Sequence, residues 1–145
     1  MEPSQFFDFV AAAERTYGAL RAEVMARFAL TAAEVDVLLF LANNPQYDTA
    51  AQIARVRRIP KSHVSISVAA LAERGLLQKS YADGNRKTVH LALTDAAAPA
   101  AAFGREKQED FFRRMFAGFS PEELAELDRL HRKAAQNLEK DGERA

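Results

Sequence analysis

The chain of 145 residues contains no cysteine. Disulfide bridges, thiolate-bound zinc and redox sensing by a thiol are therefore excluded by composition alone. No run approaches the ~18 apolar residues of a membrane-spanning helix. The start, M-E-P-S-Q-F-F-D, lacks the basic and then apolar pattern of a secretion signal. A cytoplasmic protein with no membrane partner is expected. The signatures of the common enzyme classes are missing as well: there is no G-x-S-x-G, no Walker loop, no G-x-G-x-x-G and no Ser-His-Asp order. His63, His90 and His131 fall in three different elements and never at i,i+4. Neither a metal centre, a cofactor nor catalysis is expected from such a pattern.

An excess of either charge is also lacking, with 20 bases against 20 acids. The even balance conceals an uneven distribution. Residues 1–48 hold three bases and seven acids, a net of −4. Residues 49–93 reverse this: Arg55, Arg57, Arg58, Lys61, Arg74, Lys79, Arg86 and Lys87 meet only Glu73 and Asp83, a net of +6. The remainder returns to −2. A basic middle between acidic ends is the pattern expected when only the middle meets phosphates.

Within that middle, Ile59–Gly75 reads as a helix built for insertion. Pro60 suits a first helical position, where a missing N–H costs nothing. Val64, Val68, Leu71 and Ala72 recur at helical spacing, and Gly75 stands where a left-handed residue ends a helix. The other face carries Lys61, Ser62, His63, Ser65, Ile66 and Ala69. It is small, polar at its start and almost free of acid, unlike a solvated face with Glu and Lys at i,i+4. Such a surface suits close approach to base edges. Val64 to Val68 taken alone alternates like a strand, but the start and stop signals and the following A-A-L-A-E-R favour about four turns of helix.

The flanking chain is mostly helical. Phe6, Val10, Ala13, Tyr17, Leu20, Val24 and Phe28 form a helical stripe over roughly Ser4 to Arg27, widened by Phe7, Phe9 and Met25. A stripe so broad and aromatic is expected to meet a second chain. Thr31 and Glu34 form a capping-box pattern for a helix to about Asn43, with Val35, Leu38, Leu39 and Leu41 as core. Thr49 and Gln52 repeat that pattern for a short helix to about Arg57, buried through Ile53, Ala54 and Val56. Two short helices joined by a tight turn, the second with a small polar face, make a helix-turn-helix.

Gln78–Tyr81 and Thr88–Leu93 have strand character around the turn-forming A-D-G-N-R-K, which predicts a hairpin with Arg86 and Lys87 at its tip. A basic tip of this kind is placed to enter a minor groove. Thr94-Asp95 is expected to cap a helix to about Ala117, ended by Gly118. Ser120-Pro121-Glu122-Glu123 opens a last helix to about Lys140 with a stripe of Leu124, Leu127, Leu130, Ala134 and Leu138. Phe103, Phe111, Phe112, Met115, Phe116 and Phe119 make a second aromatic cluster. Aromatics at both ends suggest that the termini fold together and pair with another subunit. The fold class is therefore mainly α with a small β element (α+β): residues 1–29 an N-terminal dimerisation helix, 30–94 a winged helix-turn-helix, 95–141 C-terminal dimerisation helices and 142–145 a disordered tail.

That order, with L-T-x-x-E at Leu30–Glu34, I-P-K-S-H-V-S at Ile59–Ser65, L-A-E-R-G-L-L at Leu71–Leu77 and D-G-N-R-K-T-V-H-L-A-L-T at Asp83–Thr94, resembles the MarR family of bacterial transcription regulators over nearly the whole chain. The resemblance implies a homodimer that reads a pseudo-palindrome in double-stranded DNA, and, in many members, release of DNA when a small-molecule effector binds between the dimerisation helices and the reading lobe. Such a protein is typically a ligand-responsive repressor. Ser62, His63, Ser65 and Ile66 are expected to read bases, while Arg57, Arg58 and Lys61 contact phosphates and Arg86 and Lys87 serve the wing. Two departures stand out. Ile66 replaces an arginine common in the family, which exchanges a guanine contact for a thymine-methyl contact, and Asn85 replaces an acid before the wing arginine. A winged-helix module for protein–protein interaction, docking through Ile66, Ala69 and Ala70, is the alternative. Phe and Leu side chains near the junction of the first, second and fifth helices suit either an apolar pocket or plain core.

Overall fold

The computed structural model describes residues 1–144, and side-chain environments through residue 140. Six α-helices and one hairpin follow in the order α1 (Pro3–Phe28), α2 (Ala32–Asn43), α3 (Ala50–Arg57), α4 (Lys61–Glu73), β1 (Leu77–Ala82), β2 (Asn85–Leu93), a short 3₁₀ turn (Asp95–Ala97), α5 (Ala98–Met115) and α6 (Pro121–Arg144). The expected mainly helical class with one antiparallel pair of strands is borne out. The chain divides into two compact units, residues 1–111 and residues from 112 onward. The tail expected over 142–145 continues α6 through residue 144, and its last residue lies outside the described residues.

In the first unit α2 is the centre. Val35, Val37, Leu38, Leu39, Phe40 and Leu41 are all buried, so this helix is apolar nearly all round and must be covered on every side. Leu20 and Val24 of α1, Ile53 of α3, Val64, Val68 and Leu71 of α4, and Leu77 and Leu91 of the hairpin supply that cover. Gly104 of α5 lies so near α2 that a Cβ there would meet the Leu39 side chain at 2.5 Å. Hydrogen bonds add to the α2–α5 contact: Arg105 Nε to Asn43 Oδ1 (3.0 Å), Asn43 Nδ2 to Gln108 Oε1 (2.7 Å), and the Arg105 guanidinium to the Ala42 carbonyl.

The helix termini follow their local chemistry, with three corrections. Thr49 and Gln52 make the complete reciprocal cap of α3, and Ser120 and Glu123 do the same for α6. At α2 only half of the expected box forms: the Thr31 hydroxyl accepts from the Glu34 N–H, while the Glu34 side chain is buried. Thr94 does not cap the next helix, because its hydroxyl donates to the Gly75 carbonyl instead (2.5 Å). Pro60 is the N-cap of α4 rather than its first residue, with ψ of 138° that keeps it extended. At the other end Gly75 adopts φ of +73°. Leu76 N–H then reaches Leu71 O (2.9 Å) and Gly75 N–H reaches Ala72 O (3.0 Å), a full Schellman closure.

The N-terminal half of α1 stays uncovered, with Phe6, Phe7 and Phe9 exposed. Its C-terminal half joins α5 through an edge-on Tyr17–Phe111 pair, a tilted Phe28–Phe103 pair and a Lys107–Glu23 ion pair of 2.5 Å. In the second unit Phe112 stacks on Phe116, which meets Phe119 edge-on. The leucine stripe of α6, at Leu124, Leu127, Leu130 and Leu138, is exposed within this chain.

Candidate nucleic-acid interface

The Val64–Val68 segment is helical, which settles the local ambiguity between helix and strand. The buried side of α4 is the one expected, Val64, Val68 and Leu71, with Ser67 buried beside them. Lys61, Ser62, His63, Ser65, Ile66 and Ala69 all face outward. Ile66 is 68% exposed, an uncommon state for a large β-branched side chain at the middle of a helix. No side chain caps the first turn of α4, and a helix N-terminus that carries Lys61 favours an anion.

The turn between α3 and α4 is tight enough that Arg58 is held left-handed at φ of 51°. This conformation costs a side-chain-bearing residue ~1–2 kcal/mol, and Arg58 is exposed. Arg57 is exposed but leans toward Asp36, at 4.0 Å, while Asp36 takes a closer contact of 2.9 Å from Arg21 of α1. Val56, expected in the core, is 44% exposed. The buried face of this short helix is centred on Ile53, and Val56 falls past its edge in the last turn.

The hairpin is antiparallel, with Leu77 opposite Leu93 and Ala82 opposite Asn85. Its turn is only Asp83-Gly84, with Gly84 at φ of +75°. The six-residue loop expected from the sequence is therefore too long: Arg86 and Lys87 belong to the start of β2, just past the turn. Both are exposed. Among the described residues no hydrogen bond or ion pair engages the Arg86 side chain. Asn85 Oδ1 accepts from Lys87 N–H (3.0 Å), so Asn85 shapes the backbone at this corner and does not hold the arginine.

The wing is tied at its base to the segment that opens α3, through contacts that no sequence motif signalled. Asp48 O accepts from Leu91 N–H (2.6 Å), Thr49 bridges to His90, and His90 Nδ1 lies 3.0 Å from Asp48 Oδ2. Thr94 N–H donates to Leu76 O (3.1 Å). Arg74, counted with the basic surface from sequence, serves the fold. Its guanidinium donates to Phe28 O (2.7 Å) and Ala29 O (2.8 Å) and satisfies the end of α1.

Residues 30–86 match a MarR family model. No curated protein matches the chain. Among solved structures it is similar to a MarR family transcriptional regulator from Listeria monocytogenes complexed with 26mer DNA, at TM-score 0.81 and 18% identity over 94% of this chain and 89% of that one. It is similar to a MarR transcriptional regulator from Methanosarcina mazei at TM-score 0.77 and 10% identity, over 97% and 93% of the two chains. It is also similar to BpsR of Bordetella bronchiseptica, whose DNA binding is regulated by 6-hydroxynicotinic acid, at TM-score 0.68 and 23% identity over 90% and 98%. Residues 30–86 thus carry the MarR family match, and the fold is the winged helix-turn-helix of MarR-family proteins.

Proposed function

We propose that this chain is a sequence-specific, double-stranded DNA-binding transcriptional regulator that acts by binding and not by catalysis. The observation that carries the reading is the outward face of α4: short side chains with no acid before Glu73 in the last turn, and in one segment with the exposed bases Arg57, Arg58, Lys61, Arg86 and Lys87. In this reading Ser62, His63, Ser65 and Ile66 meet base edges in the major groove. Lys61, Arg57 and Arg58 meet phosphates, and the wing reaches the adjacent minor groove. The regulator acts as a homodimer on a pseudo-palindrome with half-sites about one helical turn apart. Support for the dimer comes from the apolar surface that α1 and α6 leave exposed.

Repression released by a small molecule is the mode we assign. A cavity of about 70 Å³ lies among Tyr17, Asp36, Leu39, Phe40, Arg57 and Gln108, where α1, α2, α3 and α5 meet. Ligand pockets start at ~300 Å³, so an effector must open this junction, which would disturb Asp36 and Arg57 together. The exposed Ile66 and Ala69 also fit the second reading, a module that docks on another protein. Fluorescence anisotropy with the promoter region of its own gene and with random duplex, at two salt concentrations, separates the two. Tight promoter binding that outlasts the random duplex at higher salt supports the regulator; equal, weak binding erased by salt favours the interaction module.

A further inference from the structure

The outward face of α4 is unusual in what it offers a base pair. Ser62, Ser65, Ile66 and Ala69 stand at i, i+3, i+4 and i+7, so they share one side of the helix. None of the six outward residues from Lys61 to Ala69, nor Glu73 in the last turn, is arginine, asparagine or glutamine, the side chains that pair in two-pronged fashion with guanine or adenine. Lys61 stands at the first position of α4, and the function proposed above gives it to a phosphate. Hydroxyls and one imidazole remain, and these accept several bases. The group that discriminates must then be the one with reach and no tolerance for a polar neighbour. Ile66 is that group: it is 68% exposed, flanked at i−4 and i+3 by the short Ser62 and Ala69 and at i−3 by His63, and covered by nothing among the described residues. In the major groove the one apolar feature is the C5-methyl of thymine.

We infer that Ile66 is the specificity-determining residue of the reading helix and selects a T·A pair by packing on the thymine 5-methyl group. The inference rests on the DNA-reading function proposed above and names the base chemistry of that site. Burying a polar cytosine amino group under this side chain would leave a donor unpaired, so a C·G pair at the same position is rejected as well as unrewarded.

The test begins with selection of bound sequences from a randomised duplex library by the full-length protein. Each thymine of the selected half-site is then replaced singly by deoxyuridine, which removes only the methyl group. One position should lose affinity by roughly three- to tenfold, the scale of one buried methyl with its contacts. In Ile66→Ala that same substitution should change affinity less than twofold, while the variant keeps the far-ultraviolet spectrum and melting temperature of the parent. A selected site whose deoxyuridine variants all bind equally, or whose sensitivity persists unchanged in Ile66→Ala, overturns the assignment and leaves the DNA-reading function standing. A selection that enriches no sequence overturns both.

Discussion

Leu71 and Arg86 mark the two kinds of residue in this molecule. Leu71 is fully buried at the junction of α4 with α2 and the hairpin, so Leu71→Ala should lower stability by ~2–5 kcal/mol through lost burial and a residual cavity. Chemical denaturation followed by far-ultraviolet circular dichroism reads that loss. Arg86 contributes nothing comparable to the fold. Arg86→Ala should leave the melting temperature unchanged, weaken operator binding and lower the slope of log affinity against log salt by ~1. Unchanged affinity at two salt concentrations would refute the wing contact. Asp36 lies between these classes. It draws Arg21 of α1 and Arg57 of α3 to one carboxylate, and nothing in the spacing of residues 21, 36 and 57 announces such a meeting.

At the level of elements, local rules account for most boundaries and tertiary contacts for the exceptions. The complete cap at Thr49 is a local device: its hydroxyl and the Gln52 side chain satisfy each other's backbone. Thr49→Ala should cost ~1 kcal/mol, read by thermal unfolding, and should loosen the seat of the wing at His90. Thr94 has the same cap signature and a different fate. The Gly75 carbonyl, freed by the turn that ends α4, lies within reach of its hydroxyl, and that bond outcompetes a cap. The short turn at Asp83-Gly84 was legible as turn chemistry; its length was not, because pairing of Ala82 with Asn85 depends on how the two strands align. In α6 the Arg129 and Arg132 side chains hydrogen-bond Glu126 and Asp128 and hold both carboxyls below their usual range. The sign follows: whatever these pairs contribute is present above the ordinary carboxylate range and lost as pH falls through the lowered values. Both are fully exposed and contribute little. An acid titration of helicity should show only a shallow loss there.

For the whole molecule, charge and exposed apolar surface divide the labour. Bases gather in residues 49–93, while unburied apolar surface gathers on the N-terminal half of α1 and along α6. Each unit of the 16.1 kDa chain thus carries an apolar surface of the kind that marks a partner site. Light scattering at micromolar concentration should therefore return twice the chain mass, and Leu127→Glu with Leu130→Glu should shift it toward the monomer value. A parent chain that stays monomeric would contradict the two-fold reading of a palindrome.

The sequence by itself determined the succession of helices, the helix-turn-helix, the wing and the outward face of α4, because each depends on periodicity, capping and turn chemistry within a dozen residues. Only the tertiary structure decided that Arg74 serves α1 instead of a phosphate, that Val56 is left out of the core, that the wing is pinned at Asp48 and His90, and that Gly104 must be small to let α5 approach Leu39. These outcomes come from residues brought together across tens of positions, where geometry and competition for hydrogen-bond partners choose among contacts that local pattern leaves equally open.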